Sequence, residues 1–543
     1  MSNNNPAHPN PVVIGVDVGS GSVRAGVFAP SGTMLGRATQ PITLYKGPEH
    51  YVEQSSSEIW DAVCQTVRQA VAASKVSPDR VAGIGFDATC SLVVVGDGGV
   101  PLSVGPSEDP QRNVIVWMDH RATAQAEAIN ATEHPVLQYV GGKISPEMET
   151  PKLLWLKENR PDVYHNAWQF FDLADFLTWK ASGDLARSVC TVTCKWTYLA
   201  HEKRWDPDYF QQIGLEELAD EDFRRIGVSI IEPGMACGKG LTTEAADRMG
   251  LPLGTPVAAG MIDAHAGGIG TVGVGGGAVR NLAYVFGTSS CTMTSTQEPA
   301  FIPGVWGPYY SAMVPGLWLN EGGQSAAGAA IAQLVSFHPA APEATFKAKD
   351  AGLSLPSYLA SLAQKKGLSS ADAIQLARDI HVVPEFLGNR SPHADPHARA
   401  VIVGLGMESD IDSLLSLYIA GLCGIGYGLR QIIDAQVRMG VTVDNVVLSG
   451  GAGRHSLVRQ LIADACGYPI MTTKADEPVL LGAAILGAVA GGISPSVSHA
   501  MEQFCVPDNQ HLPEASVSEL HTLRYQAYVR LQNEARLIRE TLQ

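Results

Sequence analysis

One short pattern occurs twice in this chain: an apolar strand, a turn of glycine and hydroxyl residues, and a second strand. The first copy occupies residues 12–28, and the second begins at residues 281–286 and the turn after them. Glycine and serine let a backbone turn tightly and point its N–H groups outward, which suits a phosphate group. Two such hairpins about 270 residues apart, one in each half, indicate a duplicated fold that grips a nucleotide between its lobes.

The first turn carries residues that favour a metal-bound nucleotide. Asp17 lies near the end of the strand, and Gly19, Ser20, Gly21 and Ser22 form the turn. A carboxylate here can face Mg²⁺ through water, while Ser22 and the backbone amides face phosphate oxygens. An ordinary hairpin with a polar turn remains an alternative, because so short a match recurs easily by chance.

A dinucleotide-binding fingerprint is another alternative, because Gly19 and Gly21 begin a G-x-G-x-x-G pattern. Its third glycine position holds Arg24, however, and a strand rather than a helix is predicted to follow. The fingerprint needs a helix N-terminus there to receive the pyrophosphate, so this interpretation is disfavoured.

Composition limits the partners of the chain and its location. The 543 residues are enough for two large domains or three to four small ones. A formal charge of −16 without basic runs argues against nucleic acid and anionic membranes. A small polar substrate, with any nucleotide as its Mg²⁺ complex, fits better. Nine scattered cysteines indicate neither a disulfide framework nor a metal site, and no export signal or membrane span is recognised, so the cytoplasm is expected.

Polar residues lie between a strand predicted at residues 81–86 and a partner strand predicted at residues 92–95. The ends of sheet strands commonly face ligands, although such residues can also do no more than close a turn. The candidates in this segment are Asp87, Thr89, Cys90 and Ser91.

Three more charged residues are candidates for the site. Asp119 could bind a hydroxyl group or cap the helix predicted at residues 121–130. Lys195 could donate hydrogen bonds to substrate oxygens, or face solvent as most lysines do. Asp263 ends an apolar strand before a glycine-rich segment, which is where a general base would be placed.

A third glycine turn, Ser449 to Gly453, follows a short predicted strand and precedes a helix predicted at residues 455–466. A strand, a glycine turn and a helix in this order can seat an adenosine moiety against the backbone. After two phosphate hairpins, this turn supports a nucleotide site.

The C-terminal residues 520–542 are predicted to form an amphipathic helix that packs on the second domain. A homodimer contact through this helix remains open. The predicted apolar stripe consists of Leu520, Leu523, Ala527, Leu531, Ala535, Ile538 and Leu542.

Taken in order, these motifs resemble those of the FGGY carbohydrate kinases, which belong to the sugar kinase, Hsp70 and actin superfamily. The resemblance covers residues 11–495. It rests on Asp17-Val18-Gly19-Ser20, Trp117-x-Asp119-x-Arg121, Gly287-Thr288-Ser289, Glu321-Gly322-Gly323-Gln324-Ser325, Gly388-Asn389-Arg390-Ser391-Pro392, Leu448-Ser449-Gly450-Gly451 and Pro478-Val479-Leu480-Leu481-Gly482-Ala483-Ala484.

The resemblance implies an α/β fold of two ribonuclease-H-like domains with a central interdomain cleft that closes on ATP and a sugar. It implies an N-terminal domain at residues 11–270, a C-terminal domain at residues 271–497 and a helical extension at residues 498–543. Asp263 matches the catalytic base, and Asp17 would order Mg²⁺ through water. The expected nucleotide-binding residues are Gly19, Ser20, Ser22, Arg24, Gly287, Thr288, Ser289, Gly328, Gly450, Gly451 and His455.

The resemblance also bears on the sugar. Ribulokinases of the family bind a ketopentose with a lysine and a glutamate beside the catalytic aspartate, and Lys195 and Glu321 fall at those places. Thr89-Cys90-Ser91-Leu92 resembles the signature of the D-ribulokinase group, so D-ribulose is expected, with L-ribulose, D-xylulose and ribitol as alternatives. The expected substrate-binding residues are Asp87, Thr89, Cys90, Ser91, Asp119, Lys195 and Glu321.

An alternative from a different class also remains open. An actin-like or Hsp70-like ATPase would bind protein and use hydrolysis as a switch. Such an ATPase would lack a sugar base like Asp263 and its partners Lys195 and Glu321.

Overall fold

The computed structural model describes residues 10–48, 50–275 and 277–541. The strands of the first half are β1 (Val12–Val18), β2 (Ser22–Phe28), β3 (Met34–Pro41), β4 (Tyr45–Lys46), β5 (Val52–Gln54), β6 (Val81–Ala88), β7 (Leu92–Val95), β8 (Val114–Ile115), β9 (Gln169–Asp172), β10 (Arg187–Ser188), β11 (Ile230–Ile231) and β12 (Met261–Ile262). Its helices are α1 (Ser56–Ser74), α2 (Thr123–Asn130), α3 (Glu149–Asn159), α4 (Pro161–Asn166), α5 (Leu173–Ser182), α6 (Val189–Lys195), α7 (Pro207–Gln212), α8 (Glu216–Asp220), α9 (Thr243–Met249) and α10 (Asp263–Ile269).

The second half continues the same alternation of strands and helices. Its strands are β13 (Asn281–Phe286), β14 (Ser290–Thr296), β15 (Trp306–Tyr310), β16 (Trp318–Gln324), β17 (His381–Val383), β18 (Val401–Val403), β19 (Asn445–Ser449), β20 (Ile470–Thr473) and β21 (Pro507–His511). Its helices are α11 (Gly328–Ser336), α12 (Ala341–Asp350), α13 (Leu355–Lys365), α14 (Ser370–Leu376), α15 (Ile411–Arg438), α16 (Ser456–Cys466), α17 (Pro478–Ala490), α18 (Val497–Phe504) and α19 (Ser518–Thr541). One-turn or two-turn 3₁₀ segments occur at Pro78–Arg80, Asp97–Gly99, Pro135–Val140, Gly451–Gly453 and Ala515–Val517.

The first lobe is built on a five-stranded sheet with the order β12-β6-β1-β2-β3. β1, β2 and β3 are antiparallel neighbours, whereas β6 and β12 run parallel to β1. All seven residues of β1 are buried, as expected for a strand covered on both faces, and β3 alternates between half-buried and exposed residues at the sheet edge. The predicted hairpin at residues 12–28 is therefore confirmed.

The second lobe repeats this pattern within a seven-stranded sheet of order β15-β16-β14-β13-β19-β20-β21. β13, β14 and β16 are antiparallel neighbours, and β19 and β20 run parallel to β13. Each lobe thus joins three antiparallel strands to two parallel ones on the same side of its first strand. The predicted duplication into two ribonuclease-H-like α/β units is confirmed.

Helix α17 ties the late part of the chain to the first sheet. It is apolar nearly all round its circumference and packs on β1, β6 and α10, which explains why it carries no polar face. A side chain at Gly15 would overlap the carbonyl oxygen of Leu480, and one at Gly482 would overlap that of Ala266, so the helix and the strands approach at backbone distance. The short apolar run at residues 479–493, interrupted by glycines, predicts a buried, close-packed helix rather than a membrane span, and α17 confirms it.

Two strand and helix predictions are wrong. β7 does not pair with β6 but lies in a separate sheet of order β4-β5-β8-β7-β9, because β1 and β12 already occupy both edges of β6. The stretch at residues 150–180, which is rich in aromatic residues, is predicted to be helical throughout. β9 interrupts it and completes that second sheet beside β7. Both errors concern pairing between distant segments.

Ser55 and Glu58 have the spacing that predicts a capping box at the start of α1, but the box is only half formed. Ser55 accepts a hydrogen bond from the backbone N–H of Glu58, as expected of an N-cap residue. The Glu58 carboxylate instead accepts hydrogen bonds from the backbone and the hydroxyl of Thr43. The Glu58 side chain therefore links the segment after β3 to α1 instead of completing the capping box.

The C-terminal helix α19 packs on the second lobe as predicted, but with a different face. Its buried residues are His521, Arg524, Tyr528 and Gln532, whereas Leu523 and Ile538 of the predicted stripe are exposed. Arg524 donates hydrogen bonds to the backbone oxygens of residues 377, 378 and 380, so a paired arginine takes the place of an apolar contact. Leu542 lies outside the described residues.

Helix α15 has the length and apolar composition of a membrane-crossing segment, yet 78% of that apolar window is buried inside the protein. A core helix has the same composition, so α15 is weak evidence for a membrane span. All nine cysteines are described, and none forms a disulfide.

Candidate active site

Three aspartates come together where adjacent parallel strands of the first sheet end. Asp17 on β1 is paired with Asp87 on β6, and Asp87 is paired with Met261 on β12, two residues before Asp263. Carboxyl ends of parallel strands meet at one sheet edge, which brings residues 17, 87 and 263 to the same place. The sequence placed each at a strand end, and the sheet order makes them neighbours.

The charges at this edge are only partly balanced. Arg24 on β2 forms an ion pair with Asp17 and a second one, at 3.2 Å, with Glu477 just before α17. Burial raises the pKa of Asp17 to about 7, although Arg24 opposes the shift. Burial, together with the charges of Asp17 and Asp263, also raises the pKa of Asp87 well above its usual value. The buried carboxyl groups at this edge would therefore be stabilised in their ionised form by a bound cation.

The same edge has the donor chemistry that a magnesium ion requires. Neither carboxylate oxygen of Asp87 accepts a hydrogen bond from the described residues, and both are buried. Mg²⁺ prefers oxygen ligands and is usually bound by one or two carboxylates together with waters and substrate phosphates. No group of three or more His, Cys, Asp or Glu side chains placed to hold a metal ion occurs in the described ranges.

Asp263 begins α10, directly after β12. Its carboxylate accepts a 2.7 Å hydrogen bond from the backbone N–H of Ala264. Burial raises the pKa of Asp263 above its usual value, while this hydrogen bond and the charges of His265, Lys195 and Arg24 act against the shift. A carboxylate with a raised pKa is a better proton acceptor, and the hydrogen bond and the cationic neighbours favour its ionised form.

The first hairpin turn is held by contacts from outside the sheet. The backbone N–H of Gly19 donates to Ser22, and the Ser20 hydroxyl accepts a 3.0 Å hydrogen bond from the indole N–H of Trp117. The Ser20 carbonyl also accepts from Gln54. The Ser20 hydroxyl can still donate its own proton, so the role predicted for this turn toward phosphate is compatible with its geometry.

The second hairpin turn repeats this construction in the second lobe. The N–H of Gly287 donates to Ser289, and the Thr288 carbonyl accepts from two N–H groups at the start of α11. A Cβ atom at Gly328 would lie 2.7 Å from the Gly287 oxygen, so only glycine allows the helix to approach the turn this closely. The turn and the N-terminus of α11 are thereby brought together beside Ser289.

The third glycine turn lies beside the second. β19 runs parallel to β13, with Ser449 paired to Val285, so Gly450 and Gly451 leave the sheet next to Gly287. A short 3₁₀ segment follows, and His455 then precedes the first residue of α16. The predicted strand, turn and helix are confirmed, while their contact with adenosine remains a prediction.

Lys195 and Glu321 belong to different halves of the chain and lie close enough to act on each other's charge. Lys195, at the end of α6, is 8% exposed, which excludes the solvent-facing alternative. Burial would lower its pKa, but Cys90 and Glu321 nearby raise it above its usual value. Burial would likewise raise the pKa of Glu321, but His265 and Lys195 lower it to about 2. Both side chains are therefore charged at neutral pH.

The segment between β6 and β7 lies against this pair. The hydroxyl groups of Thr89 and Ser91 are hydrogen-bonded to each other at 3.1 Å, and the Ser91 hydroxyl also accepts from the backbone of Trp117. Cys90 is buried near Lys195, and burial raises the pKa of its thiol to about 12. The segment thus presents neutral, polar groups to the cleft.

Asp119 differs from the other candidates. Its two carboxylate oxygens accept hydrogen bonds from the backbone and side chain of Arg121 and from the backbone N–H of Val52. These four donors fill the lone-pair positions of a carboxylate, and the side chain is fully buried. These contacts place Asp119 in a buried ion pair with Arg121, and it does not cap α2. Its contact with a sugar stays a prediction.

Sequence reasoning missed several residues that line this cleft. His265, two residues after the predicted base, is 1% exposed and contacts Glu321, and Cys291 on β14 donates to the same carboxylate. Trp306 lies beneath two cations, 5.9 Å from the Lys195 ammonium and 5.4 Å from the Arg390 guanidinium. Only Arg390 lay in a recognised motif; the others are brought in by strand pairing.

Two lobes of this kind, with aspartates on one and glycine turns on the other facing a common cleft, have the architecture of a sugar kinase. Two family models match the chain: the N-terminal domain of the FGGY family of carbohydrate kinases over residues 12–270 and its C-terminal domain over residues 282–491. The chain belongs to the FGGY family of carbohydrate kinases. It is therefore a carbohydrate kinase of a family that uses ATP.

The comparisons with individual proteins agree with this family. An FGGY carbohydrate kinase domain-containing protein of Homo sapiens is 44% identical over 540 residues, which cover 96% of each chain. The D-ribulokinase YDR109C of Saccharomyces cerevisiae is 40% identical, over 88% of this chain and 71% of the yeast protein. The solved structure of a xylulose kinase from Rhodospirillum rubrum matches 97% of this chain and 99% of its own with a TM-score of 0.81 at 20% identity, which supports the fold.

Proposed function

We propose that this chain transfers the γ-phosphoryl group of ATP to a hydroxyl group of D-ribulose, giving D-ribulose 5-phosphate and ADP. One observation carries the proposal. Asp263 directly follows β12, whose neighbour β6 carries Asp87 beside Asp17, and Lys195 lies near enough to act on its charge. A general base between the residues expected to bind the sugar and those expected to bind the phosphates is where a hydroxyl nucleophile would be deprotonated.

The chemistry needs no covalent intermediate. As the sugar oxygen attacks the γ-phosphorus, Asp263 accepts its proton, and the bond between the γ-phosphorus and the bridging oxygen breaks to release ADP. Phosphoryl transfer depends mostly on alignment and charge neutralisation. Thr288, Ser289 and the turn at residues 19–22 would hold phosphate oxygens, and Arg24 would supply positive charge beside them.

Asp17 and Asp87 would hold the magnesium ion of the nucleotide, which would neutralise phosphate charge when bound. The buried oxygens of Asp87 without protein donors support this assignment. The raised pKa of Asp17 supports it as well, because a nearby cation would restore the ionised form that burial disfavours.

The choice of D-ribulose rests on two supports. Lys195 and Glu321 are both buried and charged, so they can read hydroxyl groups of a neutral sugar as donor and acceptor. The yeast relative that is 40% identical is named a D-ribulokinase. Ribulokinases and xylulose kinases also occur among the similar proteins, so L-ribulose, D-xylulose and ribitol are the competing substrates.

A coupled assay of ADP release tests this proposal. Purified protein with ATP and Mg²⁺ is given D-ribulose, L-ribulose, D-xylulose, ribitol or glycerol in separate reactions. We expect D-ribulose to give the highest kcat/KM. A higher value for another sugar would reject D-ribulose, and ATP hydrolysis that no sugar stimulates would favour an actin-like or Hsp70-like ATPase instead.

Two further expectations belong to the same proposal. The absence of disulfides among nine cysteines suits a reducing compartment, so we place the enzyme in the cytoplasm. A homodimer is compatible with the exposed residues Leu523, Leu537 and Ile538 on α19. Light scattering after size-exclusion chromatography measures this directly, and a monomeric mass would rule it out.

A further inference from the structure

Four side chains form a continuous line of hydrogen bonds across the cleft. The Cys190 sulfur lies 3.2 Å from Nδ1 of His265, and Nε2 of His265 lies 3.3 Å from Oε2 of Glu321. The line ends at Cys291, whose sulfur donates to Oε1 of Glu321 at 3.2 Å. Cys190 and His265 belong to the first lobe and Glu321 and Cys291 to the second, so the bond between His265 and Glu321 joins the lobes.

Both ends of this line are anchored on regular structure. Cys190 lies on α6, the helix that ends with Lys195, and its sulfur also accepts the backbone N–H of Ile262 at 3.4 Å. Glu321 lies within β16, where it is paired with Met293 of β14. His265 is therefore the connection between the strand that presents Asp263 and the strand that presents Glu321.

The surroundings of Glu321 explain why it needs this partner. The glutamate is 7% exposed and His265 is 1% exposed. A buried carboxylate is stable only when it is paired and hydrogen-bonded, and no other described side chain nitrogen is within hydrogen-bonding distance of it. Cys291 supplies only a weak thiol donor, so His265 is the main group that can hold the carboxylate in one position.

We propose that His265 is a positioning residue that aims the Glu321 carboxylate at the sugar through its Nε2–H group. This inference rests on the proposed function, because it treats Glu321 as a residue that binds the sugar. The remaining oxygen lone pairs of Glu321 then accept sugar hydroxyls, and ATP binding on the opposite side of Asp263 does not depend on the contact.

Two amide substitutions separate the two ring nitrogens. In His265→Gln the side-chain amide can reach the position of Nε2 and still donate to Glu321, whereas in His265→Asn it reaches only the position of Nδ1, facing Cys190. We expect His265→Asn to raise the sugar KM about tenfold or more and His265→Gln to raise it no more than about threefold, with the ATP KM within about twofold in both. Equal effects of the two variants, or parallel changes in both KM values, would overturn the proposal.

Cys190→Ala provides a matched control on the far side of the ring. It removes the Nδ1 partner but leaves the bond from Nε2 to Glu321, so the sugar KM should stay within about threefold of the wild-type value. A rise of about tenfold would show that the line as a whole, rather than Nε2, positions Glu321, and would contradict the proposal. This result stands even if His265→Asn fails to fold.

A double-mutant cycle in thermal unfolding tests the contact without any sugar. His265→Asn, Glu321→Met and the double variant should show non-additive changes in free energy of unfolding, because each single change removes the one hydrogen bond that the two residues share. Additive changes would overturn the inference. A wild-type protein that phosphorylates no sugar would instead overturn the proposed function, so the two failures are distinguishable.

Discussion

Replacing Lys195 by methionine removes the charge on the sugar side of the cleft while keeping most of the side-chain volume. The lysine is 8% exposed, and no hydrogen bond to its ammonium group is formed by the described residues, although Glu321 and Cys90 lie near it. Its donors are therefore available for a substrate oxygen. Methionine can fill the same space beside Trp306 but cannot donate.

The expected loss follows from the kind of bond removed. A hydrogen bond to a charged group contributes about 1.5–3 kcal/mol, which corresponds to a rise of roughly 10-fold to 150-fold in the sugar KM. The ATP KM should change less than about threefold, because the nucleotide is expected on the other side of Asp263. Initial rates measured by ADP release, with each substrate varied in turn, give both constants.

Lys180→Met is the matched control. Lys180 also lies over tryptophan rings, 5.6 Å from Trp179 and 5.9 Å from Trp60, but on α5 outside the cleft. It should leave both KM values unchanged. If Lys195→Met also left the sugar KM unchanged, or raised the ATP KM equally, Lys195 would not bind the sugar.

Two further substitutions test the phosphate side. Asp17→Asn should raise the Mg²⁺ concentration needed for half-maximal rate. Burial raises the pKa of Asp17 in the folded state from 3.8 to about 7, so ionisation of the wild-type aspartate destabilises the fold as the pH rises between these values. The melting temperature of the variant should therefore exceed that of wild type by about 2 °C or more at pH 8 and by less at pH 4. The reverse trend would contradict the raised pKa. Gly328→Ala should raise the ATP KM about tenfold with little change in the sugar KM, since the new Cβ forces α11 away from Gly287. An unchanged ATP KM would show that this turn does not bind the nucleotide.

Local patterns in the sequence were enough to predict the hairpins and their duplication. The strands on either side of the turn at residues 19–21 and those on either side of the turn at residues 287–289 are neighbours in the chain, so these turns form wherever the strands pair. The approach of Asp87 and Asp263 to Asp17 follows from the order of parallel strands, which the family resemblance implied and the residues alone did not.

Long-range pairing explains what the sequence did not reveal. His265 reaches Glu321 across 56 residues, and Cys190 reaches His265 across 75, so no spacing rule connects them. The sequence made Asp119 a candidate ligand because it does not show that Asp119 pairs with Arg121. That ion pair depends on both side chains folding inward. On α19, the spacing of apolar residues did not predict that Arg524 would be buried, because its hydrogen bonds are made to three backbone oxygens of a distant segment.

The most direct test of the account is the single-turnover rate of Asp263→Asn. This change removes the proton acceptor and keeps the shape of the side chain, so the rate of phosphoryl transfer to the preferred sugar should fall about 100-fold or more. Rapid-quench measurement of sugar phosphate gives that rate, and calorimetric titration should show that the sugar and ATP still bind within about threefold of their wild-type affinities. A single-turnover rate within about tenfold of wild type, with both ligands bound, would contradict the assignment of Asp263 as the general base.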